Sequence, residues 1–185
     1  MINFLKSRSN GKTVLLLFIA ANGIYITMLA YSIPKVMAFS GGLPLFDMSP
    51  MGYSYSDAMA LLDQLGEQGR HLYLTLQLVL DLFYPALFGL CYFCLTQWLM
   101  TAGKVNHQFW QTIARLPLFV CLFDYSENIG IGMMLTQYPS ISESLVSVTS
   151  FFTLVKSLLT MTYFLGLIAL LIFLAYKVIT KKMAS

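Results

Sequence analysis

Long apolar runs alternate with short polar stretches along this chain, and four of them cover residues 14–31, 72–100, 116–136 and 145–176. A ~30 Å hydrocarbon core needs roughly 20 apolar residues in a helix, and each run approaches or exceeds that length. Each therefore predicts a transmembrane helix. The second and fourth are longer, which predicts tilt or projection beyond the bilayer. The one sizeable loop, 32–71, begins with Pro34, Gly41, Gly42, Pro44 and Pro50 and reads as irregular. In its second half Ala58, Leu61, Leu62 and Leu65 recur at helical spacing, opposite Asp57, Asp63 and Glu67, with Ser56 as the expected cap. This predicts a short amphipathic helix on the outer membrane surface or over the mouth of the bundle, ended by Gly66 and Gly69. The loop at 101–115 is short, so consecutive spans are expected to pack antiparallel. Pro117 suits the first turn of the third span, and Ser140 with Glu143 has capping-box spacing for the fourth. The expected fold is all-α and integral to the membrane, with residues 1–185 forming one domain of four antiparallel transmembrane helices.

Composition agrees: 58% of the 185 residues are hydrophobic and only 10% are charged, where a soluble domain carries about 25% charged residues. The placement of charge sets an orientation. Lys6, Arg8, Lys12, Lys104, Arg115, Lys177, Lys181 and Lys182 fall on one side, which has no Asp or Glu. On the other side Lys35 and Arg70 stand among Asp47, Asp57, Asp63, Glu67 and Glu143. The positive-inside rule then places both termini in the cytoplasm, in a plasma membrane that would be the inner membrane of a bacterium. Trp98 and Trp110 flank the short loop at the expected interface. The first run exceeds the ~7–15 apolar residues of a signal peptide, so it is expected to be retained. No basic run with interleaved aromatics suggests a nucleic-acid partner.

Polar groups within the spans are the candidate chemistry. Asn22, Asp81, Asp124, Glu127 and Lys156 all lie inside apolar runs, where an ionised side chain costs ~2.5 kcal/mol or more. Asp124, Glu127 and Asn128 are spaced i, i+3, i+4 and share one helix face. Thr149, Thr153, Lys156 and Thr160 form a second such stripe, ending at Tyr163, and Gln77, Asp81 and Pro85 a third column. Pro85 cannot donate to the carbonyl of Asp81, which leaves an acceptor there. Counting helical rise from the basic edges puts Asp124, Asn22 and Glu127 at ~14, ~15 and ~18 Å, near mid-membrane. The same count puts Asp81 at ~27 Å and Lys156 at ~31 Å, toward the outer face. An Asp81–Lys156 pair is therefore expected at an entrance, with two carboxylates deeper. Asn22, beside Gly23-x-x-x-Thr27, is expected to bond a neighbouring helix.

Several chemistries are excluded. Cys91-x-x-Cys94 in a four-span chain invites comparison with the vitamin K epoxide reductase family, whose redox pair exchanges with loop cysteines. Here the third cysteine, Cys121, is also inside a span, so the thiols read as core residues. His71 and His107 fall at opposite membrane faces, so no haem and no metal site is expected, and no cofactor. Carboxylates within a small bundle resemble the sterol-isomerase-like membrane enzymes in architecture alone, with no shared motif. The leading expectation is a protein that binds or moves a cationic or amphiphilic small molecule, or a lipid, through a polar intramembrane site open to the outer face. Asp124, Glu127, Asn128, Asp81, Lys156, Asn22 and Thr153 would form that site. The alternatives are a membrane enzyme using carboxylates as acid and base, and an accessory subunit of a membrane complex. Apart from the lipid bilayer, a homo-oligomer or a membrane partner is expected, since four spans are few for a transporter.

Overall fold

Hydrocarbon leaves the backbone no partner but itself, and the chain answers with helix. The computed structural model describes residues 9–183 and has no strand among them. Lys6, Arg8 and the side chains of Lys181 and Lys182 lie outside what is described. The principal helices are α1 (Gly11–Met37), α2 (Tyr55–Leu72), α3 (Tyr84–Ala102), α4 (Gln108–Gln137) and α5 (Glu143–Met183). Two turns are wound as π-helix, Met28–Ser32 within α1 and Tyr73–Gln77 just after α2. Four segments are long and apolar enough to cross a membrane: Gly11–Met37, Tyr55–Ala102, Gln108–Gln137 and Glu143–Thr180. The chain is thus built as a multi-pass membrane protein.

Caps set most of the starts, and three lie where the sequence did not place them. α2 is capped by Ser54, not Ser56: Asp57 N–H donates to Ser54 Oγ at 3.2 Å, and Ser54 N–H donates to Asp57 Oδ2 at 2.9 Å. Only Ser54 has an acid three residues on to close a capping box. α5 starts after Ser142, whose Oγ accepts from Leu145 N–H at 3.2 Å. α4 starts at His107, whose Nδ1 accepts from Phe109 N–H at 3.2 Å, so Pro117 falls inside the helix rather than in its first turn. A histidine cap is rare enough that the sequence pattern passes over it.

Consecutive spans run antiparallel. α3 packs against α1 on one side and α4 on the other, and α4 packs against α5. Gly11 sits on Trp98, and Lys177 Nζ donates to the Gly103 carbonyl at 2.8 Å, so both ends of the described chain lie at the α3–α4 turn. At the opposite end the apolar face of α2 is inserted into the structure. Ala58, Leu61, Leu62 and Leu65 are buried against Val36, Leu45, Phe46, Ile131 and Met134. The apolar face predicted at Ala58, Leu61, Leu62 and Leu65 is thus the buried face of this helix. The helix is also longer than expected, continuing to Leu72 through a break at Gly66 (φ 60°). Burying each of its leucines contributes roughly 1.5–3 kcal/mol, an upper bound. α1 is an edge helix with Leu15, Leu16, Ile19 and Ile26 exposed, which suits lipid contact. Its Gly23 has nothing within 4 Å of a would-be Cβ, so among the described residues no neighbouring helix packs closely on it.

One close approach fixes the site. A Cβ on Gly130 would lie 2.1 Å from Thr149 Oγ1, so only glycine lets α4 and α5 meet there. Antiparallel helices in contact at 130 and 149 must also meet one turn along, at 127 with 153, and again at 124 with 156.

Candidate functional site

That register places the two polar stripes face to face. Thr153 Oγ1 donates to Glu127 Oε1 at 2.7 Å. Lys156 Nζ lies 3.3 Å from Asp124 Oδ1 and also ion-pairs with Glu127 Oε2. Glu127 is fully buried and Asp124 is 6% exposed. One ammonium therefore serves two carboxylates, and the α5 stripe of Thr149, Thr153 and Tyr163 turns inward as its spacing requires.

The expected Asp81–Lys156 pair does not form, because the depth count used unequal edges. α4 begins at Gln108, about 10 Å before Arg115, so Glu127 stands ~28 Å along its helix. That is level with Asp81 and Lys156. The four ionisable groups share one layer, nearer the covered end than mid-bundle.

Asp81 occupies a break in the second span. The helix stops at Leu80 and resumes at Tyr84, with Pro85 in the first turn. The carbonyls freed there are taken by α4: Asn128 Nδ2 donates to the Asp81 carbonyl at 3.3 Å, and Tyr125 Oη to the Leu82 carbonyl at 2.8 Å. The acceptor expected above Pro85 is real, and it orients Asn128, since only the amide nitrogen can donate to a carbonyl. Asn128 Oδ1 is left buried without a hydrogen bond. The Asp81 side chain is 3% exposed, and among the described residues no hydrogen bond or ion pair reaches its carboxylate.

A loop reaches down to this layer from the covered end. Asp47 accepts hydrogen bonds from Tyr73 Oη and from Gln77 Nε2, the latter at 3.2 Å. Gln77 Oε1 in turn accepts from Ser32 Oγ. Ser32, Tyr73 and Gln77 are fully buried, and all three belong to the two π-turns. Such turns interrupt α-helices frequently at functional positions. Here the extra residue in each helix aims these side chains at one another and at Asp47. Further along the loop, Tyr53 N–H donates to Ser150 Oγ at 2.8 Å, and its hydroxyl is buried without a hydrogen bond. Burial, ahead of the surrounding charges, pushes that hydroxyl above the usual tyrosine range, so it stays neutral.

A groove of about 380 Å³ is lined by Asp124 and Lys156. Tyr84 and Phe88 of α3, Met161 of α5 and Pro50 of the loop also line it. Beyond it, tilted and edge-on contacts among Phe88, Tyr92, Tyr163 and Phe164 link α3 and α5.

Of the residues chosen from sequence, Asp81, Asp124, Glu127, Asn128, Thr153 and Lys156 are brought together. Asn22 is not: its Nδ2 donates to the Phe18 carbonyl of its own helix at 2.8 Å. Asp47, Tyr53, Tyr73 and Ser32 were missed. The available signal was an apolar stretch, Leu43 to Met48, inside a loop that should face water. Among the described residues no group of three or more His, Cys, Asp or Glu is placed to hold a metal ion. Compared with protein families, with curated proteins and with solved structures, the chain finds no match.

Proposed function

We propose that the chain binds a cationic amphiphile within the membrane, the apolar part lying in the α3–α5 groove and the cationic head meeting Asp124. One observation carries this reading. Asp124 and Glu127 share a single lysine, Asp81 lies buried in the same layer with its carboxylate unpaired, and Asp124 and Lys156 line an aromatic groove. Lys156 neutralises one carboxylate and leaves an excess of negative charge, and a buried charge calls for a partner of opposite sign. The buried, unbonded Oδ1 of Asn128 is an acceptor in the same layer, as an ammonium or hydroxyl donor requires. The groove's volume falls within the roughly 300–1,000 Å³ of small-molecule sites.

In this reading the termini are cytoplasmic and the ligand arrives from the bilayer rather than from water. Tyr84 and Phe88 add ring faces near the cation. Glu127 and Thr153 do not line the groove and hold Lys156 in place. The test compares dodecyltrimethylammonium with dodecyl sulfate, added to purified protein in maltoside micelles, by thermal shift and native mass spectrometry. Wild type should be stabilised by the cation alone, and Asp124→Asn should lose that response while still folding. Equal responses to both amphiphiles, or an unchanged response in Asp124→Asn, would defeat the proposal.

A further inference from the structure

A second cavity, of about 410 Å³, lies at the other end of the bundle, around the α3–α4 turn. Gln97 and Thr101 of α3, Lys104 and Asn106 of the turn and Gln111 of α4 line it. Charge at this end has one sign. The sequence has no Asp or Glu before residue 47, between 82 and 123, or after 143. Lys177 is engaged by the Gly103 carbonyl at 2.8 Å. The Lys104 ammonium has no hydrogen bond or ion pair among the described residues.

The turn holds Lys104 there at some strain. Its φ is 51°, the left-handed conformation that favours glycine. Val105 N–H donates to the Met100 carbonyl at 2.8 Å, closing the end of α3 around it. The glycine next to it, Gly103, is committed elsewhere, since a Cβ there would lie 2.2 Å from Leu174 Cδ2. Gln97 Nε2 donates to Gln111 Oε1 at 3.0 Å, which leaves the Gln111 amide nitrogen as an unused donor. A free ammonium and unspent amide N–H groups, with no carboxylate near, form a site for an anion. Trp98 and Trp110 lie on either side of the turn in sequence, as residues at a membrane boundary do.

We propose that this cavity binds a phosphate ester anion, with Lys104 as its counter-ion and the amides of Gln111 and Asn106 as donors. The headgroup of an anionic phospholipid and a soluble phosphate monoester share this chemistry, and the experiment separates the two. Full-length protein is sprayed from micelles holding equal phosphatidylglycerol and phosphatidylcholine, and retained lipid is counted by native mass spectrometry. Lys104→Asn removes the charge while keeping a residue that tolerates the left-handed conformation. Lys12→Gln removes a basic residue of the same end that does not line the cavity. Lys104→Asn should reduce retained phosphatidylglycerol about fivefold or more, the loss expected for one lysine at a membrane surface, and Lys12→Gln should not. Glycerol 3-phosphate held in phosphatidylcholine-only micelles, and lost in Lys104→Asn, would support the same site with a soluble ligand. Equal losses in both variants would show a diffuse basic surface and overturn the proposal. So would full retention in Lys104→Asn, or failure of wild type to hold either ester. Lys104→Gly, which relieves the left-handed strain, repeats the measurement if the asparagine variant melts below wild type.

Discussion

Replacing Lys156 with methionine should destabilise this protein far more than replacing either carboxylate it serves. The ammonium is shared between Asp124, at 3.3 Å, and the fully buried Glu127. Without it Glu127 keeps only the Thr153 hydroxyl at 2.7 Å, and Asp124 keeps nothing. Breaking a buried pair by removing one member costs roughly 3–5 kcal/mol. Glu127→Gln is milder: Lys156 remains paired with Asp124, the amide oxygen still accepts from Thr153, and the loss is about 1–2 kcal/mol. Adding Glu127→Gln to Lys156→Met removes one of the two stranded charges, so the double variant should be more stable than Lys156→Met alone. At about 2–4 °C per kcal/mol for a chain of this size, Lys156→Met should lower Tm by roughly 6–20 °C. The assay is melting in maltoside micelles, monitored by near-ultraviolet circular dichroism. If Glu127→Gln costs as much as Lys156→Met, or if the two losses simply add, one lysine does not hold both acids.

Packing and the buried loop contacts make two further outcomes testable. Gly130→Ala should cost ~1–3 kcal/mol, because its Cβ would fall 2.1 Å from Thr149 Oγ1. Thr149→Ala should restore part of that loss in the same melting assay. Asp47→Ala leaves the Tyr73 hydroxyl and the Gln77 amide without their acceptor, a loss of about 1–3 kcal/mol. Limited proteolysis should then cut near Gly41 and Gly42 faster than in wild type, while Asp57→Ala, at the exposed cap of α2, should leave the cutting rate unchanged.

The four spans were legible because hydrocarbon imposes one periodicity and one minimum length, and nothing local competes with either. The shared faces of Asp124 with Glu127 and of Thr153 with Lys156 were legible for the same reason, as helical spacing fixes which side chains point together. Partner choice was not. Which acid meets Lys156 depends on the register of α4 on α5, and that register is set by Gly130, a residue with no side chain to advertise it. The depth count failed through His107, whose cap starts α4 well before the basic residue taken as its edge. Asp47 was hidden differently. Its loop reads as solvent-facing by its prolines and glycines, and only the two π-turns bring Ser32, Tyr73 and Gln77 to meet it.

Those π-turns also constrain how the gene can change length. Each holds one residue more than the α-helical turn it replaces, and each residue of helix rotates the downstream chain by about 100°. Deleting any single residue from Met28–Ser32 would let α1 close into regular helix. The part before it would stay in place, but Ser32 would swing off Gln77, and Lys35 and Val36 would turn with it. A deletion within Tyr73–Gln77 would do the same to Asp81 and to every position of α3. Insertions and deletions in these two five-residue stretches should therefore be poorly tolerated, although neither stretch carries a charge. The two lengths are tied to each other, so a one-residue loss in one helix could be accommodated only by a matching shift in the other.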